Sequence, residues 1–222
     1  MRFLKSRNVK SPERGTGLSA GIDFFVPYYD DKFLNDIIEK NNPIVLEINT
    51  DDENAQYIDI VREINFSPSF YNILDAFKDN NVYDEYNCAI IKLLDGNNKV
   101  KDLQIFLPPN GDIMIPSGIH TLFDRPNQAL AALNKSGRAT RDKLIRGAEL
   151  IDADYQGEIH CHLFNAGRSF SIIETGTKAI QFVLYDINLD IPEEIGTKEF
   201  YELHNTRSGE RGSGGFGSTG IK

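Results

Sequence analysis

The chain has 222 residues, a length that suits one domain or one domain carrying a large insertion. A net charge of -9 at pH 7 excludes a polyanion-binding surface spread over the whole molecule, leaving room only for a local basic pocket around a small phosphorylated ligand. Cys88 and Cys161 are the only cysteines, too few for a disulfide framework or a cysteine zinc cage.

The start, MRFLKSRNVK, is basic but has no apolar core of signal-peptide length, and no later run is long enough to span a bilayer, so a soluble cytoplasmic protein is expected. SAGIDFFVP (Ser19 to Pro27) is a short apolar segment entered through glycine and closed by proline, which suits a strand. DDKFLNDIIEKNN then places Phe33, Leu34, Ile37 and Ile38 on one helical face. SPSFYNILDAFKDNN repeats that pattern with Phe70, Ile73, Leu74 and Phe77, with Ser67 or Ser69 as a cap and Pro68 near the first turn. From Ala89 the texture returns to strands: AIIKLL, the turn DGNNK, then DLQIFL. DIMIPSGI (Asp112 to Ile119), GEIHCHLF (Gly157 to Phe164) and AIQFVL (Ala179 to Leu184) read as further strands. Residues 28–98 are thus expected to form a helix-containing insertion in an all-β barrel or sandwich. Residues 202–222 are expected to form a flexible glycine-rich segment.

Three segments carry candidate chemistry. In LIDADYQGEIHCHLFN, Asp152 and Asp154 lie two apart beside Tyr155, and in an extended segment both acids would share a face. A carboxylate there would suit a general base for water, while the plainer reading is a polar turn before a strand. In NKSGRA, Lys135, Ser136 and Gly137 combine an ammonium, a hydroxyl and an uncluttered backbone N–H, groups that hold phosphate oxygens, although an ordinary loop has the same letters. In RGSGGFGSTG, successive glycines would let backbone N–H groups curl around an anion while Arg211 grips it; Phe216 has no core to enter and suits stacking on a planar base. A disordered terminus is the competing reading. His160 and His162 alternate as a metal pair would, but with no third ligand nearby, wall or interface packing is the better expectation.

Taken together, these segments resemble the five ordered motifs of the homotrimeric dUTP pyrophosphatase family. SAGIDFF, NKSGRA, GAELIDADYQGEI, TGTKAIQFVL and RGSGGFGSTG are similar to motifs one to five, and MIPSGI resembles the strand leading into the second. The resemblance implies a jelly-roll-like subunit in a threefold trimer, interfacial active sites, and Mg²⁺-dependent hydrolysis of dUTP to dUMP and pyrophosphate. It implies that Asp152 activates the attacking water, Tyr155 packs under the deoxyribose, and backbone from Gly147 to Leu150 reads the uracil. Lys135, Ser136, Gly137 and Gln181 would hold phosphate oxygens, and Asp23 would support the site indirectly, through Arg211 or through metal-bound water. Arg211 would clamp the γ-phosphate, and Phe216, with Gly215, Gly217 and Ser218, would close over the base. Three residues depart from the family pattern: Lys135 and Lys178 stand where it has arginine, and Glu149 where it has glycine. The long insertion resembles phage or viral forms. A dCTP deaminase of the same fold and a regulator that binds a protein partner through its insertion are the alternatives.

Overall fold

The computed structural model of the protein describes residues 1–49 and 87–206. Fourteen strands, numbered in chain order, dominate them. The largest sheet has five strands in the order β11 (Leu150–Ile151), β9 (Gln128–Leu133), β14 (Lys178–Asp186), β3 (Ile22–Phe25) and β2 (Glu13–Arg14). A four-stranded sheet runs β13 (Ser171–Glu174), β6 (Val100–Leu107), β5 (Ala89–Leu94), β4 (Ile44–Asn49). A three-stranded sheet runs β10 (Leu144–Arg146), β12 (His160–Asn165), β7 (Asp112–Pro116), and β1 (Arg2–Lys5) pairs with β8 (Ile119–Leu122). All pairings are antiparallel except β4 with β5. The result is the expected all-β, jelly-roll-like fold.

One core serves these sheets. Phe24 of β3 and Phe182 of β14 meet with ring centroids 4.6 Å apart, and Ile90, Leu103, Ile105, Ile113 and Leu163 fill the space around them. Each such side chain contributes about 1.5–3 kcal/mol on full burial. Cys88 and Cys161 are free thiols inside this core, and burial pushes both up to about 12.

The expected helix over Phe33 to Ile38 forms as α1 (Asp31–Asn41). Asp30 caps it by accepting the Phe33 N–H at 2.7 Å, and Asn42 ends it in the left-handed region at φ 44°. Phe33, Leu34 and Ile37 are buried on the barrel. Asn41 extends the contact: its side-chain amide donates to the Met114 carbonyl at 3.0 Å and accepts the Met114 N–H at 2.8 Å, pairing with β7 as a strand would. Arg7 ties the helix down further. Its guanidinium donates to Asp36 of α1 and, at 2.6 and 2.9 Å, to both carboxylate oxygens of Glu158. The described parts of the insertion therefore belong to the same compact unit as the barrel, Met1–Ile187. The expected helix over Phe70 to Phe77 lies outside the described residues.

Several expectations are adjusted. The strand expected over Asp112 to Ile119 breaks at Ser117–Gly118, where Gly118 takes φ +72°, and becomes β7 and β8. The strand expected from Gly157 starts only at His160. A second unit, Asn188–Lys222, contains α2 (Thr197–Thr206), so the flexible segment expected from residue 202 is helical at its start. TKEFYELHNT holds neither glycine nor proline, and Phe200 stacks toward His204 one turn on, centroids 4.9 Å apart. No helix among the described residues is long and apolar enough to cross a membrane.

Candidate active site

The five-stranded sheet gathers three distant segments. Gln181 of β14 stands opposite Asp23 of β3 on one side and Leu133 of β9 on the other. The chain leaving β9 carries Lys135, Ser136 and Gly137 into a single π-helical turn, Arg138–Asp142. Gln181 reaches this loop directly, donating through Nε2 to the Asn134 carbonyl at 2.8 Å. Arg138 fastens the turn to the start of β14 by donating to Thr177 Oγ1 at 2.8 Å and the Lys178 carbonyl at 3.1 Å.

At the centre lies the Asp23 carboxylate, 5% exposed. Lys135 Nζ donates to Oδ1 at 3.0 Å and Lys178 Nζ to Oδ2 at 2.6 Å. Burial on its own would raise this carboxyl, but the hydrogen bonds from Lys178 and Lys135 outweigh burial and hold it below 3.8. The Lys178 ammonium is raised in turn, chiefly by its hydrogen bond to Asp23. The two lysines that replace family arginines thus share one anion. Asp23, expected to face metal-bound water, has both oxygens already taken by ammonium groups. Beside this cluster runs a groove of about 1120 Å³, lined by Lys135, Arg138, Arg141, Lys143, Arg168 and Lys178 against Asp142 and Glu174. In a chain of net charge -9, this is a concentrated field of opposite sign. Ser136 is exposed at its edge, with its carbonyl accepting from Thr140 Oγ1 at 2.7 Å.

The second concavity is smaller, about 190 Å³, and is built from the segment Ala148–Tyr155 with β7 and β12. Leu150, Asp152 and Tyr155 line it together with Met114, His160 and His162. The stretch after β11 is not extended, as the shared-face expectation for Asp152 and Asp154 required. It is a turn, closed by the Tyr155 N–H donating to the Asp152 carbonyl at 3.2 Å. This turn sets Asp152 and Tyr155 into one cavity, and it anchors Tyr155 by its hydroxyl to the Glu158 carbonyl at 2.9 Å.

The two histidines share a side of β12, as their spacing predicts, and both meet the cavity. His162 Nε2 pairs with Asp112 Oδ2 at 2.7 Å, while its Nδ1 accepts the Ala148 N–H at 3.2 Å. Gly147 donates its N–H to the His162 carbonyl at 2.9 Å, and a Cβ on Gly147 would overlap His162 Nδ1. His160 is held below 6.5, first by burial and then by the positive charge of Lys40. Among the described residues no group of three or more His, Cys, Asp or Glu is placed to hold a metal ion. Arg211, Gly215, Phe216, Gly217 and Ser218 lie outside the described residues.

Sequence reading missed Arg7, Asp112 and Arg138 as organisers of these sites. Arg138 was within reach, since it lies in the NKSGRA segment itself; Arg7 and Asp112 act across the fold and left no local signal.

A family model described as dUTPase matches residues 101–220. The deoxyuridine 5'-triphosphate nucleotidohydrolase of Xanthomonas campestris pv. campestris (strain B100) is 35% identical over 118 residues, spanning 52% of this chain and 72% of that protein. Its namesake from Oryza sativa subsp. japonica is 30% identical over 118 residues, 53% of this chain and 64% of that one. In overall structure, the chain is similar to a Staphylococcus bacteriophage 80alpha dUTPase solved with dUpNHpp, with TM-score 0.56 at 14% identity, covering 99% of this chain and 98% of that one. The structure thus defines an all-β, jelly-roll-like protein with a basic groove and a separate small cavity. The chain belongs to the dUTPase family.

Proposed function

We infer that the chain acts as a dUTP diphosphatase, hydrolysing dUTP to dUMP and pyrophosphate. The observation that carries the residue assignment is the single turn that puts Asp152 and Tyr155 into the cavity lined by Ala148 and Leu150. Tyr155 is the platform for the deoxyribose, and backbone of Gly147 to Leu150 reads the uracil edge. Asp152 takes the proton from the water that attacks the α-phosphorus. Attack breaks the bond from that phosphorus to the bridging oxygen and releases pyrophosphate. General-base assistance of this kind contributes roughly 10²–10⁴ in rate.

The basic groove takes the triphosphate. Lys135 and Lys178 meet phosphate oxygens as point charges, without the two-pronged grip of arginine. Asp23 keeps them extended toward the groove before substrate arrives, which lowers the entropy lost on binding. Ser136 and Gly137 add hydroxyl and backbone donors, and Gln181 holds their loop in place. From its sequence, the segment bearing Arg211 and Phe216 supplies a γ-phosphate clamp and a ring over the base, with Gly215, Gly217 and Ser218 around them.

The groove and the cavity are separate concavities of one chain. A homotrimer that brings the groove of one subunit to the cavity of another would join them into one site. The donor chemistry fits Mg²⁺ carried in on the triphosphate, because the described residues offer no carboxylate cage and the ion favours phosphate oxygens and water. When bound, Mg²⁺ would neutralise phosphate charge. Asp23 would touch its hydration shell only after yielding a lysine.

Pyrophosphate release from dUTP, dTTP, dCTP and UTP with Mg²⁺ tests this reading. Release from dUTP far above the other three is expected; ammonia from dCTP without pyrophosphate would identify a deaminase instead.

A further inference from the structure

The ring of His162 belongs to neither the proposed base nor the proposed phosphate grip, yet it touches the one stretch of backbone assigned to reading the pyrimidine. Three contacts converge there. The His162 carbonyl accepts from the Gly147 N–H at 2.9 Å, Nδ1 accepts from the Ala148 N–H at 3.2 Å, and Nε2 faces Asp112 Oδ2 at 2.7 Å. The acceptor role at Nδ1 places the ring proton on Nε2, where it is donated to the Asp112 carboxylate. Asp112 therefore fixes both the tautomer and the tilt of the ring, much as a carboxylate orients a metal-bound histidine. Gly147 completes the arrangement, because any side chain there would occupy the space of the ring. His162, Ala148, Leu150, Asp152 and Tyr155 all line the same cavity of about 190 Å³.

We propose that His162, oriented by Asp112, is a positioning residue that holds the 147–150 backbone in the conformation that binds the pyrimidine. It tunes base affinity and touches no reacting atom. The inference rests on the reading of this cavity as the nucleoside site. Loss of the Nδ1 acceptor leaves the Ala148 N–H to water and lets the loop drift, so ground-state binding weakens while proton transfer at Asp152 continues. Affinity and turnover separate accordingly.

Two side chains divide the ring's functions. In His162→Asn, the amide oxygen falls where Nδ1 stood and still accepts from Ala148. In His162→Gln, the amide nitrogen falls where Nε2 stood and still donates to Asp112, but no acceptor faces Ala148. Steady-state hydrolysis of dUTP by both variants, with thermal melting as a check on folding, tests the assignment. His162→Gln is expected to raise KM about five- to tenfold with kcat within about twofold, the scale of one lost hydrogen bond. His162→Asn is expected to stay within about twofold of the wild-type KM. A wild-type KM in His162→Gln, or an equal loss in both variants at unchanged melting temperature, overturns the inference. If the wild-type protein itself releases no pyrophosphate from dUTP, the parent reading falls and takes this one with it. An active wild type beside an unaltered His162→Gln refutes the inference alone.

Discussion

The groove and the cavity solve opposite problems. On the proposed reading, the groove attracts a highly charged chain of phosphates, and it is held by side chains: two lysines on one buried carboxylate, and Arg138 clamping the turn to β14. On the same reading, the cavity discriminates a flat, neutral ring. It is held mostly by backbone groups, with Tyr155 on the Glu158 carbonyl, Gly147 on the His162 carbonyl, and Ala148 on a histidine ring. Long charged side chains can follow a flexible triphosphate, whereas fixed backbone donors and acceptors measure a shape. Damage to the first region should cost affinity in a salt-dependent way. Damage to the second should cost chemistry or the affinity and choice of base, with little dependence on salt.

The sharpest way to break that division is at Asp152. Asp152→Asn keeps the shape of the turn and removes the base, so kcat for dUTP should fall by roughly 10²–10⁴ with KM nearly unchanged. Normal turnover in single-turnover assays would move the base elsewhere. Next in size is removal of everything after Thr206. It should lower kcat/KM about 100-fold through lost alignment while leaving the melting transition of the barrel in place; unchanged kinetics would exclude a role for Arg211 and Phe216. Asp23→Ala should act on the groove alone. The lysines, 29% and 34% exposed, relax toward water, so the expected cost is about 1.5–3 kcal/mol of stability and a KM raised roughly tenfold. A larger fall in kcat than in affinity would mean that Asp23 belongs to the chemistry.

The smallest effect is in pH, and the range in which it falls separates the two regions. His160 has a folded value below 6.5, so the stability of its neutral form is present above 6.5 and is lost as pH falls through the folded value. Asp23 is depressed below 3.8, so its contribution is present above 3.8 and is lost only as pH falls through that lower value. Melting temperatures should therefore start to decline near the cavity's range, below about 6.5, and His160→Ala should flatten that first decline. Asp23→Ala should lower the melting temperature across the neutral range and flatten the acid limb, leaving the decline below about 6.5 in place.

How much of this was readable beforehand follows from distance along the chain. The helix at Phe33 to Ile38, the hairpin around DGNNK and the strand AIQFVL all announced themselves, because periodicity and turn chemistry are local. β9, QALAAL, was missed, since alanine favours helix and is depleted in strands, and only the neighbours β11 and β14 override that preference. β1, RFLK, is exposed throughout and exists only through its pairing with β8. The acidic segment at Asp152 stood out as a candidate, but its geometry was not legible: the extended form and the turn share the same letters. The lysine substitutions stood out as departures, yet their meaning did not. Lys135 and Lys178 lie 112 and 155 residues from Asp23, and only the sheet shows that both departures end on the same carboxylate.

The two buried thiols of the core lead somewhere else. With both sulfurs sealed in and driven up to about 12, almost no thiolate exists at neutral pH, and none is within reach of a reagent. The native molecule should tolerate aerobic handling without added reductant. Slow labelling by an aromatic disulfide would then act as an internal clock, each tick marking a moment when the barrel breathes open.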